Sequence, residues 1–231
     1  MLVQFPSTLR ADITLPTSKS ISARALILRA LAGVDTPIHD LSDSDDTRAL
    51  LAALAAETEG NQVEKYRQTP QSEEKVVENN GAKTSSDAVS SPTLTVDIGA
   101  AGTAMRFLTA YFATCTGKSC MLTGSARMKE RPIALLVDAL RSLGAEIDYV
   151  EKEGFPPLRI QGKTLRGGTV ELSAQVSSQY ISALLMIAPT LEQGLTLRLL
   201  GEIASAPYIA MTLALMKSFG VDAKWEGNEL F

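Results

Sequence analysis

Ser177-Ser178-Gln179-Tyr180-Ile181-Ser182-Ala183-Leu184-Leu185-Met186-Ile187 is a hydroxyl-rich turn that runs directly into a helix apolar nearly all round. Such a helix belongs in a protein interior, because it has no polar face to give to water. Two other stretches read the same way. Thr17-Ser18-Lys19-Ser20 leads into Ala25-Leu26-Ile27-Leu28, and Ala100-Ala101-Gly102-Thr103 leads into Phe107-Leu108-Thr109-Ala110-Tyr111-Phe112. Ser20 to Gly102 is 82 residues and Gly102 to Ser177 is 75, so the unit recurs at a nearly constant period. Repetition at such a spacing is the mark of an internal structural repeat.

Between these buried helices lies a second, amphipathic kind, starting near Asp46, Pro132 and Pro207. In the middle one, Ile133, Leu136, Val137, Leu140 and Leu143 form one apolar stripe, with Asp138, Arg141 and Ser142 off it. Pro132 and Pro207 suit a first helical turn, where no N–H is needed, and Gly144 and Gly220 suit the residue just past a helix end. Short β-prone runs punctuate the helices: 93–98, 146–150, 168–172 and 195–199. The pattern predicts an α/β (α+β) chain, a pseudo-threefold repeat of βαβαββ-type units with buried helices inside and small sheets outside. Residues 57–92, rich in Glu, Gln, Asn, Ser and Thr, read as a mobile surface insertion.

Composition narrows the function classes. Hydrophobic residues make up 45% and charged residues 21%, as in an ordinary globular protein, and the net charge of −4 argues against a nucleic-acid partner. Two cysteines give no disulfide framework and no metal-ligand spacing occurs, so neither metal nor cofactor is expected. The N-terminus lacks a basic start followed by an apolar run, and 172–191 is interrupted by Ser, Gln and Pro. A reducing cytoplasmic setting without membrane contact is expected.

Chemistry gathers at the turns. The first N–H groups of a helix lack internal partners and lie at the positive end of its dipole, so each turn is a candidate anion cradle. Arg24 lies four residues after Ser20, and Arg106 four after Gly102. Helical side chains lean toward the N-terminus, so both guanidinium groups point back at whatever the turns hold. Lys19 adds a mobile charge. Gly124-Ser125-Ala126-Arg127-Met128-Lys129-Glu130-Arg131-Pro132 forms a further cationic arm before a helix. Asp43, Asp45 and Asp46 read, with Ser44, as capping and dipole compensation for their own helix. His39, the only histidine, reads as a surface or turn residue.

Five blocks carry a family resemblance: Leu15 to Leu26, Ala101 to Arg106, Arg127 to Pro132, Ser177 to Tyr180, and Ser205-Ala206-Pro207-Tyr208. In this order they resemble the N-terminal half of 5-enolpyruvylshikimate-3-phosphate synthases. The resemblance implies transfer of the enolpyruvyl group of phosphoenolpyruvate to the 5-hydroxyl of shikimate 3-phosphate, with release of phosphate. By matched position, Lys19 would meet both substrates and act in catalysis. Ser20, Arg24, Ser177, Ser178 and Ser205 would hold shikimate 3-phosphate, Gly102 and Arg127 phosphoenolpyruvate, and Gln179 would lie between the two ligands.

The resemblance further implies that residues 1–15 form a leading strand pairing within a second, C-terminal domain. Residues 16–231 would form the shikimate-3-phosphate-binding domain, inactive alone because the family's principal acid/base carboxylates lie in the second domain, and the two together would act as a monomer. Where the family commonly has Asn, this chain has Ala100, whose side chain neither donates nor accepts. A methyl group on Gly102 is expected to crowd the phosphoenolpyruvate pocket. The sister family acting on UDP-N-acetylglucosamine carries a Lys-Asn pair at the first turn and a reactive loop cysteine. Here Lys19 precedes Ser20, and Cys115 is expected within an apolar helix. A non-catalytic anion-binding module of the same fold is the other alternative.

Overall fold

The computed structural model describes residues 15–67 and 93–231. Seven helices and eight strands follow in order: α1 Lys19–Ala32, α2 Asp45–Arg67, β1 Leu94–Asp97, α3 Gly102–Thr114, β2 Ser119–Thr123, α4 Ala126–Lys129, α5 Ala134–Ser142, β3 Glu146–Tyr149, β4 Leu158–Gln161, β5 Gly168–Ser173, α6 Ser178–Ile187, β6 Leu195–Leu200, α7 Ala206–Ser218, β7 Trp225–Glu226 and β8 Glu229–Leu230.

The repeat is visible in the sheets. One has the order β1-β2-β4-β3 and the other β5-β6-β8-β7. In each, the first two strands are parallel and the rest antiparallel. Each parallel pair is joined through a buried helix, α3 or α6, since parallel neighbours need a long crossover. Each sheet therefore belongs to one βαβαββ unit, and α1 with α2 are the helices of the remaining one. The strands β2 and β4, not singled out from the sequence, are short alternations. Cys120 and Leu122 of β2 face inward, as do Leu158 and Ile160 of β4.

The three apolar helices form the centre: α1, α3 and α6 contact one another. Each amphipathic helix bridges two of them, α2 against α1 and α3, α5 against α3 and α6, α7 against α6 and α1. Nearly all of α3 is buried, and α6 is buried from Tyr180 onward. On α5 the stripe read from the sequence is the buried one, with Ile133, Leu136, Val137, Leu140 and Leu143 inside and Asp138 outside. Gly144 and Gly220 take left-handed φ values of 104° and 84° just past α5 and α7, a conformation that β-carbons penalise.

The first part of the expected insertion, 57–67, is the second half of α2. Glu57 is drawn inward by the hydroxyl of Tyr111, 3.3 Å away, and by the ammonium of Lys118, so this polar residue is a paired carboxylate. The remainder of the expected insertion, 68–92, and all of the expected leading strand except Leu15 lie outside the described residues.

Candidate functional site

The helix starts meet at one end of the molecule, and side-chain contacts link them in turn. The Lys19 Nζ at the start of α1 lies 2.5 Å from Oδ2 of Asp46 at the start of α2. Asp46 Oδ1 accepts from the backbone N–H of Thr103 (2.6 Å) and Ala104 (3.2 Å) at the start of α3. The Thr103 hydroxyl accepts from Gln179 Nε2 at the start of α6, 3.1 Å away. The next residue, Tyr180, donates its hydroxyl to the carbonyl of Pro132, which leads into α5, at 2.7 Å. The three hydroxyl- and glycine-rich turns therefore converge on one face.

Behind them the two arginines repeat one another. Arg24 Nη1 donates to the carbonyl of Ser20 at 2.9 Å, and Arg106 Nη1 to that of Gly102 at 3.1 Å, each four residues back. The third unit carries Ser182 in the matching slot, and its hydroxyl accepts from Arg24 Nη2 at 2.7 Å. Arg24 Nε also donates to the Thr212 hydroxyl of α7 at 2.8 Å. Its guanidinium carbon lies 5.5 Å from the ring centre of Phe107 and 5.9 Å from that of Tyr208, a cation–π enclosure.

Burial pushes the Arg24 guanidinium down to about 10, with the Tyr208 phenol acting in the opposite direction, so it stays cationic at neutral pH. Burial lowers Arg106 too, opposed by Tyr180 and reinforced by Arg131. Among the described residues, Arg24 spends three of its five N–H donors inside the protein, leaving one on each terminal nitrogen.

Asp46 differs from its sequence reading. The cap of α2 is Ser44, whose hydroxyl accepts from the Thr47 N–H at 3.3 Å, while Asp43 and Asp45 pair with the exposed Arg48. Asp46 instead compensates the dipole of α3, a helix 57 positions further on. Burial opposes its ionisation, but the bond and charge of Lys19 and the two N–H groups overcome that and hold its carboxyl below the ordinary range. The start of α3 is thus not an open cradle, since the N–H groups of Thr103 and Ala104 already hold an anion.

The cationic arm also divides. Ser125 caps the short α4, buried Met128 anchors it, and Arg127 is exposed. Lys129 turns away to Glu151, 2.5 Å distant. Arg131, read from the sequence with Arg127 as part of the cationic arm, lies over the start of α3. A β-carbon placed on Gly102 would run into its guanidinium. Glycine is what allows this approach.

The serines occupy the same end. Ser20 and Ser178 are half-buried, and the Ser177 hydroxyl caps α6 by accepting from the Gln179 N–H at 3.3 Å. Ser205, at the cap of α7, has a buried hydroxyl with no hydrogen-bond partner among the described residues. An enclosed polar atom of that kind calls for an explanation, and a ligand is one. His39 is exposed. Cys115 follows the end of α3 rather than lying within it, and burial raises its thiol to about 11, where it is protonated and unreactive at neutral pH.

Against this geometry, residues 3–230 match the family model described as EPSP synthase (3-phosphoshikimate 1-carboxyvinyltransferase). The chain belongs to the EPSP synthase family. It is 49% identical over 228 residues to the 3-phosphoshikimate 1-carboxyvinyltransferase of Bacteroides fragilis strain YCH46, covering 99% of this chain and 47% of the relative. It is 46% identical over 220 residues to that of Yersinia pseudotuberculosis serotype O:3, covering 95% of this chain and 49% of the relative.

The chain spans about half the length of these curated relatives of the family. A solved EPSP synthase from Acinetobacter baumannii superposes with a TM-score of 0.71 at 24% identity, covering 94% of this chain and 46% of that one, which establishes the fold. Among the described residues, no helix is long and apolar enough to cross a membrane.

Proposed function

We propose that this chain is the shikimate-3-phosphate-binding half of a cytoplasmic 3-phosphoshikimate 1-carboxyvinyltransferase, acting on phosphoenolpyruvate together with a C-terminal domain. The observation that supports this best is the convergence of the α1, α3 and α6 starts around Lys19, Arg24 and Gln179. Both substrates carry a phosphate and a carboxylate, and several helix starts backed by buried guanidinium groups serve such anions.

In this reading Ser20 and the two remaining N–H donors of Arg24 hold shikimate 3-phosphate on the α1 side, with Ser177, Ser178 and Ser205 on the α6–α7 side. The Ser205 hydroxyl, without a partner among the described residues, gains an acceptor or donor when that ligand arrives. Phosphoenolpyruvate lies against Gly102 and Arg127, and Gln179 and Lys19 face both molecules. The catalytic contribution of this half is alignment and electrostatic stabilisation of charge as the 5-hydroxyl attacks the enolpyruvyl carbon and phosphate departs. The acid/base carboxylates come from the other domain, which in this reading gives a monomeric enzyme.

Calorimetric titration tests the reading. The 231-residue chain is expected to bind shikimate 3-phosphate at least tenfold more tightly than inorganic phosphate, and to give no turnover until the C-terminal domain is supplied. Equal binding of the two ligands would leave only a generic anion module.

A further inference from the structure

Among the described residues, the opening of α3 is almost fully satisfied. The Ala101 N–H donates to the carbonyl of Ile98 and the Met105 N–H to that of Ala101, while those of Thr103 and Ala104 donate to Asp46. Only the N–H of Gly102 finds no acceptor there. The Asp46 side chain is 6% exposed and its second oxygen holds the Lys19 ammonium, whose own side chain is half exposed. Arg131 lies over Gly102, and Arg106 runs behind it. A single carboxylate thus occupies the position that a ligand oxyanion would otherwise take among three cations and a helix start.

We propose that Asp46 is a built-in counter-anion that sets ligand selectivity on this face, filling the Thr103 and Ala104 donors and tethering Lys19 so that small free anions find no strong seat at α3. An incoming ligand oxyanion is restricted to the Gly102 N–H and the outer side of Lys19. A free phosphate dianion needs several donors at one point to compensate its lost hydration, and it is refused them. A larger ligand succeeds because its other groups are held at α1, α6 and α7. Asp46 is a positioning residue, acting through Lys19 and the α3 backbone rather than by touching substrate. The inference deepens the proposed function and rests on its placement of the anions, but its test does not require shikimate 3-phosphate to be the ligand.

The distinguishing readout is a gain of binding, which loss of a merely structural carboxylate would not give. Inorganic phosphate is titrated into the wild-type chain, Asp46→Ala, and Asp46→Ala combined with Lys19→Met, by calorimetry and by the rise of melting temperature with phosphate. Asp46→Ala is expected to bind phosphate at least tenfold more tightly than wild type, and the double variant to return to the wild-type level. A folded Asp46→Ala chain with unchanged or weaker phosphate affinity overturns the proposal.

Asp46→Asn covers the case in which Asp46→Ala does not fold, because Asn keeps an acceptor for Thr103 and Ala104 while releasing Lys19. It is expected to gain severalfold in phosphate affinity, and a response identical to wild type overturns the proposal. Failure of wild type to bind shikimate 3-phosphate would remove the functional reading while leaving the phosphate comparison intact.

Discussion

The starts of α1 and α3 share a guanidinium bonded four residues back and differ in what fills their open N–H groups. At α1 the filler is local: Ser18 caps its own helix, its hydroxyl accepting from the Ile21 N–H at 3.4 Å. At α3 the cap residue is Ala101, which offers no side-chain bond, and the filler comes from α2. A local cap stabilises one helix, whereas Asp46 binds three helices together and commits the local electrostatics of the face. The same first-turn architecture therefore yields an autonomous helix in one unit and a tertiary junction in another.

The largest break in the likeness comes from the arginines. Arg24 is 2% exposed, with three hydrogen bonds to α1, α6 and α7, whereas Arg106, 5% exposed, bonds to the backbone carbonyls of Gly102 and Pro132. Replacing Arg24 by Met removes all three bonds, although the Ser20 carbonyl keeps its helical bond within α1 and Ser182 and Thr212, 2.9 Å apart, can still pair with each other. Loss of charge-assisted bonds from a buried site is expected to cost about 2–4 kcal/mol. Urea denaturation of the chain measures it, and Arg106→Met is expected to cost less.

Asp46 comes next, with an expected loss of about 2–3 kcal/mol for Asp46→Ala, since two buried N–H groups and an ammonium lose their acceptor. The pH dependence identifies the cause. A carboxyl held below its unfolded value contributes stability that is complete above about pH 4 and is lost as pH falls through the folded value. The difference between wild type and Asp46→Asn should therefore be full at neutral pH and shrink in acid. A difference independent of pH between 3 and 7 would mean that the charge of Asp46 contributes nothing.

Much of this contrast was legible beforehand, and the missing part has a physical reason. The buried helices, the α5 stripe and the glycine terminators follow from local periodicity and backbone preference, which sequence displays directly. So does the back-bonding of Arg24 and Arg106, a matter of four-residue spacing. The partner of Asp46 could not be read. A carboxylate in Asp43-Ser44-Asp45-Asp46 looks like a cap for the helix it opens, and nothing local says that the chain places Gly102 beside it. Arg131 over Gly102 escaped for the same reason. The pairing of Glu57 was hidden because polar composition is shared by loops and by helices whose polar residues are paired. One signal was available: Ala101 at a cap position lacks any capping group, which demands a donor of negative charge from elsewhere.

Cap deletions sharpen the local side of the comparison. Ser18→Ala and Ser177→Ala remove bonds of 3.4 and 3.3 Å that each serve one helix start. Each is expected to cost about 0.5–1 kcal/mol in denaturant melts. The two losses should add when combined, because they share no partner, whereas Asp46→Ala and Lys19→Met should not add.

Gly102→Ala is expected to change stability least. Its new methyl meets the guanidinium of Arg131, the far end of a flexible and exposed side chain that can move aside, and not backbone. Alanine is also the better helix former, so the two effects offset to within about 0.5 kcal/mol. The displaced charge is the consequence that matters. With Arg131 lifted from α3, the Gly102 side of the face loses both space and a cation, and under the proposed function phosphoenolpyruvate binding to the proposed two-domain enzyme should weaken at least tenfold while the melting temperature barely moves. Arg131→Met separates the two losses, removing the cation and keeping the space. If its phosphoenolpyruvate affinity matches that of Gly102→Ala, the methyl acts through the arginine; if it stays at the wild-type level, the methyl acts by crowding alone.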